Sequence, residues 1–188
     1  APLTMDLRNI WMALEEVVGL DGSSKKVGLS NVRPDELKDI IRFVKERQAT
    51  QQQQQQQQQQ PDIAPPRMPD AVQIYADPIH PAEEMRMICH DHGIEFVSYS
   101  TLGTQHRTNT NPVLGSSVVQ ELAAKHQRSV AEVVLSWAIQ NGMSVVPRSG
   151  KKRHIEELGR LLPERGAKPT GFLDGEDLVQ MDSLKNSM

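Results

Sequence analysis

The chain has 188 residues, of which 37% are hydrophobic, 24% charged and 4% aromatic, and its net charge is −3. This length and composition fit one domain of a soluble protein, and the acidic balance argues against general binding of nucleic acid. No apolar run approaches the roughly 18–20 residues of a membrane span, so we expect no membrane partner.

The cysteine content bears on location and on metal binding. The single cysteine, Cys89, excludes an internal disulfide and fits a reducing compartment, which predicts a cytoplasmic protein. His90 and His92 lie close to it, and cysteine and histidine can both bind zinc. Cys-His-x-His on one short helix is a poor zinc geometry, however, so we expect no metal site.

The first predicted elements are a helix, a strand and a second helix. Apolar residues in the segment 7–18 recur with the spacing of an amphipathic helix, which the Gly-Leu-Asp-Gly stretch 19–22 ends. The segment 26–31 predicts a short buried strand. Pro34 then stands in the first turn of the next helix, a position that tolerates proline.

A low-complexity insert follows this helix. Ten consecutive glutamines occupy positions 51–60, and Pro-Asp-Ile-Ala-Pro-Pro comes next. We predict that residues 49–69 are disordered, because the segment buries almost no apolar surface. It joins the end of a helix to the next strand, which predicts a location on the face of the sheet opposite the ligand sites. A polyglutamine interaction tract is the alternative interpretation.

The rest of the chain continues the alternation of strands and helices. Short apolar segments predict strands over 71–75, 94–100 and 145–146. Helices are predicted from apolar spacing over 80–92, 118–123, 129–139, 155–162 and 174–184. Ser129 and Glu132 are spaced as a capping box, and Asp174 is expected to cap the last helix.

The most basic stretch of the chain follows the last predicted strand. It reads Arg148-Ser149-Gly150-Lys151-Lys152-Arg153-His154. A turn at the C-terminal end of a strand is where α/β folds place ligand sites. Cationic side chains, a hydroxyl and a helix N-terminus together suit a phosphate group. The alternative is a solvated, lysine-rich helix start.

Four strand–helix alternations with near-continuous apolar strands predict a parallel sheet in an α/β fold. A doubly wound fold would also suit this pattern, but no strand is followed by G-x-G-x-x-G. A (β/α)₈ TIM barrel uses roughly 31 residues per unit, so four βα units plus a C-terminal helix fill half a barrel. The chain begins Ala1-Pro2-Leu3, without an initiator methionine or signal peptide, and we expect it to be a piece of something longer.

Four strand-end motifs, taken in order, resemble those of the aldo-keto reductases. They are Gly28-Leu29-Ser30-Asn31, Val72-Gln73-Ile74 with Pro78, Ser98-Tyr99-Ser100-Thr101-Leu102-Gly103, and Val146-Pro147-Arg148-Ser149. The resemblance runs over nearly the whole chain but covers only the family's C-terminal half. It therefore implies the C-terminal half of a TIM barrel that lacks an N-terminal half as its partner.

The resemblance implies that NADP(H) is the cofactor and that the complete protein reduces a small-molecule carbonyl. Ser30, Asn31 and Gln73 would hold the nicotinamide carboxamide, and Tyr99 would stack on the ring. Taken singly, these residues also fit structural roles: Asn31 as a turn or cap residue, Gln73 as a strand-end polar group and Tyr99 as a packing residue.

The phosphates would lie further along the same edge of the sheet. Leu102, Gly103 and Thr104 would pass under the pyrophosphate, where glycine permits close approach of the backbone. Ser100 belongs to the same implied cofactor-binding set. Arg148 and Ser149 would bind the adenosine 2′-phosphate, which selects NADP over NAD. Arg153 and His154 complete the implied cofactor-binding set.

The chain departs from the family pattern at several positions. The replacements are Val72 for Asn, Asp77 for His, Arg148 for the commoner Lys, His154 for Arg and Leu158 for the Asn that meets adenine. Arg148 keeps the positive charge of the usual Lys, and its guanidinium can donate two hydrogen bonds to one phosphate. Arg153 lies next to His154 and is a candidate substitute for the family's Arg. These differences affect the adenine contacts more than the phosphate contacts.

The family's catalytic Asp, Tyr, Lys and His come from its first four strands, which have no counterpart here. The only tyrosines, Tyr75 and Tyr99, lie in other motifs. We therefore expect no catalytic residue in this chain and no reductase activity from the chain alone. The alternatives are a non-catalytic regulatory or sensor relative that binds NADP(H), and a truncated product without a stable fold.

In a half barrel, some strand side chains are expected to face the missing half. We expect five apolar residues in this position: Leu29, Ile74, Phe96, Val97 and Val145.

Overall fold

The computed structural model describes residues 6–20, 24–56, 65–104, 110–162 and 170–185. These residues form helices and strands in alternation. In chain order they are α1 (Leu7–Leu20), β1 (Gly28–Ser30), α2 (Pro34–Gln56), β2 (Ala71–Tyr75), α3 (Glu83–Asp91), β3 (Glu95–Tyr99), α4 (Ser117–His126), α5 (Val130–Gln140), β4 (Ser144–Val145), α6 (Lys152–Gly159) and α7 (Gly175–Asp182).

The strands form one sheet in the order β1-β2-β3-β4. β3 and β4 pair in parallel, with Val97 opposite Ser144 and Ser98 opposite Val145. At least one helix separates each strand from the next along the chain, as parallel pairing requires. The prediction of an α/β fold with a parallel sheet is confirmed.

The described residues divide into two compact units. The first contains residues 1–72 and 84–95, and the second contains residues 73–83 and 96–188. The core of the first unit is built on Trp11 of α1, which is fully buried, and on Leu37 and Val44 of α2. The indole Nε1 of Trp11 donates to the carbonyl oxygen of Arg67 at 3.2 Å.

The helix α2 extends further than predicted. It continues through six of the glutamines to Gln56, because glutamine is a good helix former and can lengthen a helix that is already nucleated. The predicted start of the disordered insert, residue 49, is therefore too early, because residues 49–56 are helical.

The predicted end of the disordered insert, residue 69, is too late, because the stretch just before it makes specific hydrogen bonds. The backbone N–H of Arg67 donates to Glu15 Oε1 at 2.9 Å, and Gln48 Nε2 donates to the carbonyl of Pro66 at 2.8 Å. These contacts tie the stretch before β2 to α1 and α2 within the first unit. Residues 57–64 lie outside the described residues, and their disorder stays a prediction.

The core of the second unit is built around α5, in which residues 132–138 are all buried. The predicted capping box of this helix is present, with Glu132 N donating to Ser129 Oγ and Ser129 N donating to Glu132 Oε2. The indole Nε1 of Trp137 donates to Asp182 of α7 at 2.8 Å. Hydrogen bonds therefore hold both the start and the side of the helix that carries the core.

The strand side chains do not all face the way the half-barrel interpretation predicted. Leu29 and Phe96 are 7% and 5% exposed, so these two belong to the buried face of their strands. Phe96 and Val97 are neighbours on β3 and must point to opposite faces. Val97, Ile74 and Val145 are only half-buried.

None of the helices in the described ranges is long and apolar enough to span a membrane.

Candidate functional site

The turn after β3 has a backbone that few residues adopt. Ser100 and Gly103 have φ angles of 53° and 77°, both in the left-handed region. A Cβ at Gly103 would lie 2.7 Å from Val113 Cγ2 and from Asn111 Oδ1. Only glycine fits there, because the side chains of Val113 and Asn111 occupy the space that a Cβ would need. Gly103 is itself buried, and any role in binding a pyrophosphate stays a prediction.

Asn111 holds this turn in place. Its Nδ2 donates to the carbonyl of Leu102 at 2.6 Å, and its Oδ1 accepts from the backbone N–H groups of Val113 and Leu114, each at 3.0 Å. Sequence reasoning missed this residue. The available signal was the Asn111-Pro112 pair, which is typical of a turn.

A buried hydroxyl pair supports the start of the same turn. Ser98 Oγ donates to the carbonyl of Ala76 at 2.7 Å and lies 2.6 Å from Thr101 Oγ1. Ser98 and Thr101 are both buried, so these bonds exchange little with water. The bonds fix the position at which the chain leaves β3.

A cavity of about 510 Å³ lies beyond the carboxyl ends of β3 and β4. It is lined by Tyr99, Ser100, Thr101, Leu102, Thr104, Leu135, Val146, Pro147 and Arg148. Five of these residues, namely Tyr99, Ser100, Leu102, Thr104 and Arg148, were predicted from the sequence. The volume is within the usual range for a small-molecule site.

A smaller cavity of about 210 Å³ shares Leu102, Pro147 and Arg148 with the larger one. Its further lining comes from α5, α6 and the loops before α4, α5 and α6: Leu114, Ser129, Val130, Ala131, Glu132, Ser149, Arg153, His154, Glu157 and Leu158. Ser149, Arg153 and His154 were predicted as site residues. Leu158, Val130 and Ala131 give this cavity an apolar wall.

The start of α6 is organised by the hydroxyl of Ser149. Its Oγ accepts from the backbone N–H of Lys151 at 3.1 Å and lies 3.3 Å from His154 Nδ1. The Ser149 hydroxyl thus contacts groups of its own segment, and its predicted contact with a phosphate stays a prediction.

Arg153 is engaged differently from the prediction. Its Nε lies 3.0 Å from Glu157 Oε1, and the side chain as a whole is 80% exposed. Residues four apart on a helix face each other, which explains this pair. The guanidinium is therefore shared with a carboxylate, and Arg153 is a weaker candidate for a phosphate contact than the sequence suggested.

The other carboxylate in the smaller cavity is also compensated. Glu132 is buried and lies 3.1 Å from Arg128 Nη1 and 3.6 Å from Arg160 Nη1. Arg148 and Lys151, in contrast, have no carboxylate within ion-pair distance among the residues that the structure describes. The site consequently carries surplus positive charge, which suits an anion.

A polar cluster at the end of β2 was not predicted. The Tyr75 hydroxyl donates to Asp77 Oδ2 at 2.5 Å, and Asp77 Oδ1 accepts from the backbone N–H groups of Ile79 and His80 at 2.9 and 2.8 Å. Asp77 is fully buried. The ring of Tyr75 lies 6.2 Å from that of Tyr99, between centroids.

The Tyr75 hydroxyl is a poor acid in this environment. Burial raises the pKa of the Tyr75 phenol, and the hydrogen bond to Asp77 raises it further. The cluster orders the loop after β2 and fixes Tyr75 against the predicted nicotinamide residue Tyr99.

The predicted carboxamide residues fall in different compact units. Ser30 and Asn31 end β1 in the first unit, where both are exposed and Asn31 Nδ2 donates to Ser30 Oγ at 3.2 Å. Asn31 has a φ of 58°, which fits its alternative role as a turn residue. Gln73 lies on β2 and is half-buried in the second unit. Their joint role stays a prediction.

The Cys89 region does not form a ligand set in the described part of the chain. Burial raises the pKa of the Cys89 thiol to about 11, which disfavours the thiolate that zinc requires. The side chain of His90 is 90% exposed. The described residues contain no group of three His, Cys, Asp or Glu that could hold a metal ion.

The parallel sheet and the two cavities beyond its carboxyl ends define an α/β protein with a candidate anion and nucleotide site. The chain belongs to the aldo/keto reductase family, whose family model matches residues 2–163. This finding confirms the resemblance inferred from the strand-end motifs.

Relatives with assigned names are reductases. The chain is 26% identical over 185 residues to an NAD(P)H-dependent D-xylose reductase of Pyricularia oryzae, an alignment that covers 92% of this chain and 50% of that protein. It is 29% identical over 146 residues to aldo-keto reductase family 1 member A1 of Mus musculus, covering 76% of this chain and 38% of that protein.

Solved structures show the same fold. The aldo/keto reductase from Brucella melitensis superimposes with a TM-score of 0.70 at 23% identity, over 95% of this chain and 55% of that chain. The chain thus spans about half the length of the relatives that it matches, or less.

Proposed function

We propose that this chain is the cofactor-binding, C-terminal half of an NADP(H)-dependent aldo-keto reductase, and that the complete protein reduces a small carbonyl compound by hydride transfer. The observation that carries this proposal is the pair of adjoining cavities that share Arg148. The larger is lined by five predicted cofactor residues and the smaller by three more, Ser149, Arg153 and His154.

The residues present fit such a cofactor. Leu102 and Thr104 of the turn after β3 line the larger cavity, where a pyrophosphate would lie. The guanidinium of Arg148, which has no carboxylate partner among the residues that the structure describes, suits a 2′-phosphate. When bound, the nicotinamide would supply the hydride. The role of this chain is to hold the cofactor, with Tyr99 against the ring and Arg148 selecting the phosphorylated nucleotide.

We place the catalytic acid in a part of the complete protein outside this chain. The family's Asp, Tyr, Lys and His have no matching motif in the sequence. Tyr75 is a poor substitute because its hydroxyl is bonded to buried Asp77 and its pKa is raised. The lack of a motif for the family's catalytic residues also favours the second candidate, a relative that binds NADP(H) as a sensor without turning it over.

The binding of NADPH and NADH to the 188-residue chain tests this proposal. We expect Arg148→Ala to weaken NADPH by roughly ten- to a hundredfold, because a charge-assisted bond is lost, and to leave NADH nearly unchanged. Arg42→Ala, which removes an exposed guanidinium on α2, is the matched control. Equal weakening of both cofactors by Arg148→Ala would move the 2′-phosphate site elsewhere, towards Lys151–Arg153.

A kinetic measurement tests the assignment of the catalytic residues. We expect no oxidation of NADPH by the chain in the presence of an aldehyde, because the family's catalytic Asp, Tyr, Lys and His have no matching motif in its sequence. Turnover of the aldehyde that scales with protein concentration would contradict this assignment.

A further inference from the structure

Tyr75 lies next to the larger cavity without being part of its wall. It is the last residue of β2, and Tyr99 is the last residue of the neighbouring strand β3. The centroids of the two rings are 6.2 Å apart, and the ring planes are tilted by 45°. This separation is typical of aromatic pairs in contact. Tyr99 lines the larger cavity, whereas Tyr75 is not among the described residues that line either cavity.

The hydroxyl end of Tyr75 is fixed by a buried carboxylate. The hydroxyl donates to Asp77 Oδ2 at 2.5 Å, and Asp77 is fully buried. The other carboxylate oxygen accepts from the backbone N–H groups of Ile79 and His80, which holds the carboxylate in one orientation. A tyrosine side chain has only two rotatable torsions, so a fixed hydroxyl leaves its ring little freedom to move.

The ring of Tyr75 also has a neighbour on its other side. The ring of His80 lies 5.8 Å from it between centroids, and His80 Nδ1 lies 3.5 Å from the Tyr75 hydroxyl. The side chain of His80 is 49% exposed, so it separates the ring of Tyr75 from water. Tyr75 is thus held between His80 and Tyr99, and it supports Tyr99 from the side of β2.

We propose that Tyr75 is a positioning residue that acts through Tyr99. The Tyr75–Asp77 hydrogen bond keeps the ring of Tyr99 in the orientation in which it stacks on a nicotinamide ring. This inference rests on the proposed cofactor site and on the role of Tyr99 in it. A side chain that is already in its binding orientation loses less conformational entropy when the ligand arrives. Loss of the Tyr75–Asp77 bond should therefore weaken the binding of the nicotinamide end of the cofactor and not of its adenosine end.

The test measures the affinities of the 188-residue chain for NADPH and for adenosine 2′,5′-bisphosphate by calorimetry. Only NADPH contains the nicotinamide ring, so the ratio of the two affinities reports on the nicotinamide end. Tyr75→Phe removes the hydroxyl and keeps the aromatic ring. Asp177→Asn, which alters the bonds of a buried carboxylate outside both cavities, is the matched control.

Tyr75→Phe should weaken NADPH by roughly fivefold, the net value of one hydrogen bond, and change the affinity for the bisphosphate less than about twofold. Asp177→Asn should leave the ratio of the two affinities unchanged. Tyr99→Leu should weaken NADPH by itself, because it removes the stacking ring. In a chain that carries Tyr99→Leu, Tyr75→Phe should cause no further loss, since two residues that act through one contact are not additive.

The possible failures are distinguishable. Suppose that Tyr99→Leu weakens NADPH alone. If Tyr75→Phe then changes neither affinity, weakens both ligands alike, or adds its full effect to that of Tyr99→Leu, the positioning role is wrong and the proposed cofactor site stands. If Tyr99→Leu leaves the ratio unchanged, or if the chain binds neither ligand, the proposed site is wrong and the inference is wrong with it.

Thermal unfolding of each variant, followed by circular dichroism, checks that folded proteins are compared. If Tyr75→Phe does not fold, Asp77→Asn takes its place, because it weakens the same hydrogen bond by removing the charge of the acceptor. The ratio of the affinities for NADPH and the bisphosphate should then fall in Asp77→Asn, and an unchanged ratio would contradict the positioning role.

Discussion

Gly103 is the residue on which the turn beneath the larger cavity depends. Its φ of 77° lies in the left-handed region, and Val113 and Asn111 occupy the space where a Cβ would stand. The two constraints are separable, because Gly142 has nearly the same φ, 76°, with no atom within 4 Å of its Cβ position. Substitutions at Gly103 and Gly142 therefore separate the free-energy cost of backbone strain from the cost of close packing.

We predict that Gly103→Ala destabilises the chain more than Gly142→Ala does. The left-handed conformation alone costs about 1–2 kcal/mol with a Cβ, and overpacking at Gly103 adds roughly 1–3 kcal/mol. Urea unfolding measures the difference, and NADPH binding should weaken only in Gly103→Ala. Equal losses of stability would show that the turn opens to accept the methyl group.

At the scale of elements, a cluster of charges joins α7 to α4. Asp177 is fully buried and lies 2.6 Å from both Lys125 Nζ and His126 Nε2, while Lys125 also lies 2.9 Å from Asp174. Asp174 and Asp177 form the capping box of α7. The start of α7 is thus tied to the end of α4 through one buried carboxylate.

The protonation of this carboxylate couples the α4–α7 contact to pH. Burial acts to raise the pKa of Asp177, but the hydrogen bonds from Lys125, His126 and the backbone outweigh it and hold the pKa at about 2. Because this value is below that of the unfolded chain, the ionised carboxylate stabilises the folded state above about pH 4. That stabilisation is lost as the pH falls from about 4 towards 2.

We predict that Asp177→Asn lowers the free energy of unfolding at pH 7 by about 1.5–3 kcal/mol, the contribution of a hydrogen bond to a charged group. The difference from the unaltered chain should shrink between pH 4 and 2.5, where the carboxylate begins to be protonated. Glu176→Gln removes an exposed carboxylate from the same turn and is the control. A difference that stays constant over this range would show that the charge of Asp177 is not what stabilises the contact.

At the scale of the whole molecule, described segments flank the connection 57–64 on both sides. Residues up to Gln56 continue α2, and the stretch from Pro65 leads into β2 with its backbone bonded to Glu15 and Gln48. Only the connection 57–64 lies between these tied segments. The contacts on either side hold the chain in place whatever the connecting residues are.

We predict that residues 57–64 can be replaced by a Gly/Ser linker of equal length without effect on NADPH affinity and with only a small change in melting temperature. The reason is that a connection from the end of a helix to the start of a strand is predicted to lie on the face of the sheet opposite the ligand sites. Glu15→Ala, which removes the acceptor of Arg67 N, should lower the melting temperature and is the comparison. A tenfold loss of NADPH affinity in the linker variant would overturn the assignment of the two faces.

The sequence by itself determined the order of the elements, the α/β class and the family. These properties depend on local signals: apolar spacing sets a helix or a strand, and Ser129 with Glu132 or Asp174 with Asp177 caps a helix whatever lies around it. The cofactor motifs at 99–104 and 148–154 could also be found, because each is contiguous along the chain and follows a predicted strand.

The tertiary structure alone decided which of these residues meet, since that depends on contacts between segments far apart in sequence. Tyr75 reaches Tyr99, Asn111 holds the turn at Gly103, and Phe96 faces the buried side of β3. Arg153 lies one helical turn from Glu157 and pairs with it. Whether the Arg153 guanidinium stays with this carboxylate or binds a phosphate depends on which other charges the fold places nearby. Among the residues that the structure describes, Arg148 has no carboxylate within ion-pair distance, and this too depends on which groups the fold places nearby.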